Sequence, residues 1–268
     1  MNKAGPEREG EGEMDSDAEG SLSVSLTLIA TPIGNLGDLT PRAAETLKGC
    51  DAVIAEDTRR ASQLLSHLGL RKPLISFHEH NEERRLPELL GRLRGGERLA
   101  LVTDAGTPSV SDPGFRLVRA CLREGIGYTV LPGPSAVLTA LVGSGLPPVP
   151  FLFGGFLPSS GSGRRSELRR GVAFGMTVIY FESPHRLADC LGDLAAIAPE
   201  CRVCVARELS KIHEEYRHGR PADLEAHYRE TPPRGEITLV FHPSQSGAEE
   251  ERGRKDYSEK TPILRNLA

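Results

Sequence analysis

Residues 99–114, LALVTDAGTPSVSDPG, pass from a wholly apolar run directly into small, acidic and turn-forming residues. An apolar run without alternation fits a strand covered on both faces, as in a parallel sheet. Glycine, proline and carboxylates gathered at its carboxyl end fit the edge where open α/β sheets bind ligands.

Working outward, the same rhythm repeats. Leu26–Thr31, Ala52–Glu56, Pro73–Phe77 and Tyr128–Leu131 read as further strands beside Leu99–Thr103. Amphipathic stretches at Pro41–Leu47, Thr58–Leu68, Glu82–Leu93, Pro113–Glu124 and Ser135–Val142 read as the helices between them. This alternation predicts a parallel α/β lobe over residues 22–143. GSGLPPVP at 143–150 cannot continue a helix and marks a boundary.

Beyond that boundary, Phe151–Phe156, Thr177–Phe181, Val203–Ala206 and Ile237–Phe241 read as strands. Ser162–Ala173, His185–Ile197 and Pro221–Arg229 read as helices, giving a second α/β lobe with fewer strands over 150–243. The expected fold class is therefore α/β, with two tandem lobes and a small-molecule cleft between them. Residues 1–21 and 244–268 lack any useful apolar period and read as disordered tails, the first acidic.

Composition narrows the function classes. With 33 Lys+Arg against 37 Asp+Glu, a strongly basic nucleic-acid coat is excluded, and no DNA partner is expected. Aromatic residues make up 5% with no Trp, which argues against a broad stacking platform. No apolar run reaches the roughly 18 residues of a membrane helix and no signal peptide is legible, so a cytoplasmic protein without a membrane partner is expected. Five irregularly spaced cysteines do not form a disulfide framework. Cys201 and Cys204, in a strand-like run, are expected to point the same way and to hold neither zinc nor a redox bond. His78-Glu-His80 reads as a polar strand end, and no metal is expected.

The chemistry collects where strands end. After the first, Gly34 and Gly37 permit a tight turn before Thr40-Pro41 opens a helix. After the fourth, Gly106 lets backbone approach a ligand, Thr107 offers a hydroxyl, and Asp104 suits an ammonium or a ribose diol. Asp112-Pro113 reads as the cap and first residue of the next helix. The fifth strand ends in PGPSA, delivering Ser135 to the same edge. In the second lobe, YFESPHR at 180–186 and ARELSK at 206–211 place charged groups after apolar strands. Neither G-x-G-x-x-G nor a P-loop is present.

TPIGNLGDLTPRA at 31–43, AEDTR at 55–59, TDAGTPSVSDPG at 103–114, PGPSA at 132–136, GFLP at 155–158, FESPHRL at 181–187 and ARELSK at 206–211 together resemble the tetrapyrrole methylase superfamily. Within it, they are most similar to the branch that methylates small-subunit ribosomal RNA. The resemblance spans Leu26 to His242. It implies S-adenosyl-L-methionine bound between two lobes, a homodimer, and methyl transfer to the ribose 2′-hydroxyl of a cytidine in free RNA or a 30S particle. It further implies cofactor contacts at Pro32, Asp104, Ala105, Gly106, Thr107, Ser135 and Ala136, with Phe181, Glu208 and Leu209 from the second lobe. A corrin or porphyrin precursor as acceptor, or a non-catalytic ribosome-binding relative, are the alternatives.

A protonated ribose hydroxyl is a poor nucleophile, so a carboxylate or imidazole should accept its proton. Asp57 and Glu182, with His78 behind them, are the candidates. Arg164 and Arg165, on an Arg-rich helix that continues through Arg169-Arg170, are the expected phosphate contacts. Asn35, Arg59 and Arg186 complete the expected substrate residues.

Overall fold

The computed structural model describes residues 24–243. The expected tails at 1–21 and 244–268 lie outside the described residues.

The first sheet orders its strands β3-β2-β4-β1-β5, all parallel: β1 Val24–Ile29, β2 Ala52–Ala55, β3 Leu74–Ser76, β4 Leu99–Val102 and β5 Gly127–Leu131. The two central strands AVIA and LALV are buried at every position, as their unbroken apolar runs require. Helices α1 (Pro41–Gly49) and α2 (Thr58–His67) cover one face through Leu47 and Leu65. Helices α3 (Glu82–Arg94) and α4 (Phe115–Glu124) cover the other through Leu89, Leu93 and Leu117. The chain leaves β1 for α1 and leaves the adjacent β4 for α4, so successive helices diverge to opposite faces between these two strands. That divergence is a topological switch point, where a crevice opens at the carboxyl ends of β1 and β4.

The second sheet has order β6-β7-β10-β8-β9: β6 Phe151–Phe156, β7 Thr177–Glu182, β8 Arg202–Arg207, β9 Glu215–Gly219 and β10 Ile237–His242. Only β6 and β7 run parallel; β7–β10, β10–β8 and β8–β9 are antiparallel. The sheet thus has as many strands as the first, where fewer were expected. The extra strand, β9, is a polar edge. Helices α6 (Gly161–Ala173), α7 (Leu187–Ile197) and α8 (Pro221–Glu230) pack against one face around Tyr180, Leu191 and Phe241.

The opposite face of this second sheet is covered by the last helix of the first lobe, α5 (Ala136–Gly143). Its Val137, Ala140 and Leu141 join Ile179, Cys204 and Val240, with Ile33 from the loop after β1. The helix AVLTALVG is apolar on nearly all sides, and Leu138 and Val142 stay exposed while Val137, Ala140 and Leu141 are buried on the second sheet. Through it the two strand-end edges are held against each other.

Cys201 packs with the α7 side of the sheet and Cys204 with the α5 side. Three residues is an odd step along a strand, so the two sulfurs face opposite ways rather than together. Among the described residues, no helix is long and apolar enough to cross a membrane.

Candidate active site in the cleft between the lobes

Two loops form the floor of the cleft. Thr31, just after β1, and Gly106, after β4, form a two-way backbone bridge, and Thr31 Oγ1 also donates to Thr103 O at 3.1 Å. Gly106 has φ +80°, a conformation that glycine adopts at no steric cost. The Thr107 hydroxyl donates to Pro134 O at 3.3 Å, tying in the loop after β5. Ser135 then caps α5, its Oγ accepting from Leu138 N.

These loops border a cavity of about 460 Å³, within the range typical of small-molecule sites. Its lining brings together Asp104, Ala105, Gly106, Thr107, Ser135, Ala136 and Phe181, seven of the ten expected cofactor contacts. Glu182 and Ser183 follow Phe181 in the wall, and Gly235–Thr238 close the second-lobe side. Three expected contacts lie elsewhere. Pro32 faces an adjoining concavity of about 480 Å³ that shares Arg60 and Asp104 with the first. Glu208 accepts from Lys211 Nζ and from Glu236 N, both at 2.9 Å, so it buttresses the Gly235–Glu236 wall instead of lining the cavity. Leu209 is buried in the apolar layer between the lobes.

The cavity suits S-adenosylmethionine chemically. Carboxylates of Asp104 and Glu236 face a ligand that carries an ammonium and a sulfonium, while Ile33, Val137 and Phe181 offer an apolar wall to a base. The amino end of α5, beside Ser135, is positioned for a carboxylate. The Glu182 carboxylate is shielded from the cavity. Its side chain is fully buried, Oε1 is held by Arg186 at 2.6 Å and Ser183 N at 2.6 Å, and the buried Oε2 has no partner among the described residues.

The other expected catalytic residues are placed differently. Asp57 caps α2: Oδ1 accepts from Arg59 N at 2.8 Å, and both oxygens are bound by the Arg59 side chain. That guanidinium holds the Asp57 carboxyl well below the usual carboxylate range, and the residue does not border the cavity. Its ion pair with Arg59 and its place outside the cavity wall set it apart from the groups that line the cleft. Its backbone N–H donates to Asp104 Oδ1 at 3.2 Å, so it positions Asp104. His78 lies at the end of β3, 3.0 Å from Asn81 Nδ2, and is also outside the cavity wall.

Among the expected substrate residues, Arg164 is 7% exposed and bound to Asp193 of α7 at 2.7 Å. It lies on the same side of α6 as buried Leu168 and Gly171, so it is part of the packing and not of a phosphate-facing surface. Arg165 is more exposed and touches the same carboxylate at 3.3 Å. Arg186 pairs with Glu182, Arg59 is exposed beside Asp57, and Asn35 Oδ1 accepts from Gly37 N in a short 3₁₀ turn.

Asp112 reverses its expected role. Helix α4 begins at Phe115 with Gly114 at its cap and without a side-chain cap bond, leaving Asp112 in the cavity wall. Burial, reinforced by the nearby carboxylates Glu56 and Asp104, pushes its carboxyl up to about 6.

A two-lobed α/β protein with a cleft at a parallel-sheet switch point, closed by loops of a mixed sheet, is the class that this geometry defines. The chain matches the model of the Tetrapyrrole (Corrin/Porphyrin) Methylases over residues 25–225. It is 44% identical over 216 residues to Ribosomal RNA small subunit methyltransferase I of Thermotoga maritima, covering 81% of this chain and 97% of that protein. The protein of the same name from Xylella fastidiosa is 45% identical over 239 residues, covering 87% of this chain and 88% of that one. That of Escherichia coli O157:H7 is 46% identical over 219 residues, covering 80% and 76%. The crystal structure of a diphthine synthase superposes with a TM-score of 0.65 at 14% identity, covering 86% of this chain and 94% of that one. The chain belongs to the tetrapyrrole methylase family, in the branch of these small subunit methyltransferase I relatives.

Proposed function

We propose that the chain transfers a methyl group from S-adenosyl-L-methionine to small-subunit ribosomal RNA, at the 2′-hydroxyl of a cytidine ribose, in the cytoplasm. The observation that carries this reading is the cleft itself: a cavity at the strand-end edge whose carboxylates, helix amino end and apolar wall match the parts of this one donor. The relatives' names supply the acceptor class.

Bound there, the donor supplies an electrophilic methyl group whose transfer extinguishes its positive charge. The protein's contribution is alignment, which can supply about 7–11 kcal/mol when nucleophile and methyl are held in line. Asp104, fixed by the Asp57 amide and by Arg60 at 3.4 Å, orients the donor's cationic end. Phe181 and Val137 exclude water. We read residues 22–143 and 150–243 as the two lobes of this machine. A homodimer, which equilibrium sedimentation would detect, would cover exposed apolar residues such as Leu138 and Val142 on α5.

The test supplies methyl-labelled donor with undermethylated 30S particles, naked ribosomal RNA or a corrin precursor, followed by digestion to nucleosides. Label in 2′-O-methylcytidine supports the reading. Label on a macrocycle or on a base, or particle binding without transfer, rejects it.

A further inference from the structure

The carboxylates around the cleft differ in whether they already have partners. Asp104 accepts from Asp57 N and pairs with Arg60, and Glu182 is bound by Arg186 and Ser183 N. Asp112 lines the cavity without such a partner among the described residues. Its neighbour Val110, 53% exposed, lines the cavity from the first lobe, and Phe156, 63% exposed, lines it from the second. Asp112 lines the same cavity as these two exposed apolar residues.

The local backbone keeps Asp112 there. Ser109 has φ +69° and Gly114 has φ +132°. A Cβ on Gly114 would overlap Ser109 Oγ and come within 2.8 Å of the Leu101 side chain, so the segment 109–114 is folded tightly onto β4. The Asp112 carboxylate is half-buried, and among the described residues no hydrogen bond or ion pair engages it. A desolvated carboxylate in a cavity wall without a cation is an energetic cost that folding does not explain, and functional sites are where such costs are tolerated.

We propose that Asp112 is the catalytic residue that accepts the proton of the ribose 2′-hydroxyl. The inference rests on the methyl-transfer reading above. The proton leaves the 2′-oxygen for an Asp112 carboxylate oxygen, the 2′-oxygen's electron pair forms the new bond to the methyl carbon, and the carbon–sulfur pair stays on sulfur, giving a neutral thioether. Asp57, whose oxygens are already engaged by Arg59, is thereby relieved of this role.

The charged groups that act on Asp112 are Glu56, just after β2, and Asp104, and both oppose its ionisation. Arg60 and Glu236 line the same cavity. The raised value of about 6 leaves the group ionised, yet basic enough to take a proton, at neutral pH.

The experiment is single-turnover methyl transfer at saturating donor across pH 5–8, for wild type, Asp112→Asn and Asp112→Glu, with donor affinity and thermal unfolding measured on the same samples. The wild-type rate should rise with pH through an acidic limb. Asp112→Asn should be slower by about 10²–10⁴-fold with no limb and unchanged donor affinity, and Asp112→Glu should recover part of the rate. Stability gives a readout independent of turnover. A carboxyl raised in the folded state favours folding below its ordinary value of 3.8, and that contribution is lost as pH rises through about 6. Asp112→Asn should therefore melt above wild type at pH 7.5, with the difference shrinking as pH falls below 6. A flat wild-type profile overturns the proposal whatever the variants do. So does an Asp112→Asn rate within threefold of wild type, or loss of donor affinity in that variant, which would make Asp112 a donor contact. A wild type that methylates no RNA at all defeats the underlying reading instead.

Discussion

Thr31 N donates to Gly106 O at 2.9 Å and Gly106 N donates back to Thr31 O at 3.0 Å, so the loops leaving β1 and β4 are clamped at the switch point. An added Cβ at Gly106 would lie 3.5 Å from Ile33 Cγ2, an ordinary contact, and the cost of a substitution therefore comes from the backbone. Gly106→Ala should cost about 1–2 kcal/mol, the penalty for a left-handed residue bearing a side chain. The melting temperature should fall by a few degrees and donor affinity by roughly tenfold, as calorimetry and thermal unfolding would show. An unchanged affinity would mean that the clamp does not shape the cleft.

The Arg-rich helix separates into two kinds of arginine. Arg164→Ala leaves Asp193, 15% exposed, without its closest cation, and breaking a buried pair costs about 3–5 kcal/mol. Arg165, at 3.3 Å, would recover part of that loss. Substituting Arg165 and Arg169 together should leave stability within about 0.5 kcal/mol while weakening RNA binding. The slope of log affinity against log salt should flatten by about 0.7 for each phosphate that is no longer neutralised. Equal melting curves for Arg164→Ala and wild type would contradict the first half, and unchanged RNA affinity the second.

Asp57→Ala should keep turnover within threefold of wild type and lower the melting temperature. The Asp57 carboxyl is depressed by Arg59, so its contribution to stability is present above its unfolded value of 3.8 and is lost as pH falls below that value. The melting difference from wild type should hold near neutrality and shrink in acid. A large loss of turnover with normal stability would return Asp57 to the chemistry.

Cys50, Cys121, Cys190, Cys201 and Cys204 are buried and free. Burial pushes the Cys121 thiol up to about 11 and those of Cys201 and Cys204 up to about 12. A thiol-specific disulfide reagent at pH 8 should react slowly with the native chain and with all five cysteines once it is denatured. Rapid labelling of the native chain would show an exposed thiol.

Apolar runs located nine of the strands and every helix because each of those elements buries one dominant surface. The edge strand β9, EYRHG, escaped because an edge faces solvent and carries charge where a central strand carries Val or Ile. The insertion of β10 between β7 and β8 was illegible, since strand order depends on long-range pairing that periodicity does not encode.

The site was legible where glycine and small polar residues interrupt strand ends, as at 104–107 and 135–136, and less so where a residue has two physically reasonable roles. Asp112-Pro113 has the form of a helix cap, but the helix starts later, at Phe115. Arg164 shares an i, i+4, i+7 face with Leu168 and Gly171, a signal for burial that its charge outweighed. The Gly235–Thr238 wall was missed altogether. Thr238, a buried hydroxyl residue inside ITLVF, was the one available sign.

On the proposed reading, the cleft between the lobes binds the methyl donor through Asp104. Isothermal titration of S-adenosylhomocysteine, the demethylated product, into wild type and Asp104→Ala tests it most directly. Wild type should show one site per chain and the variant at least tenfold weaker binding, with the melting curve of the unliganded variant preserved. Equal affinity in the two proteins, or no heat and no thermal shift with wild type, would contradict it.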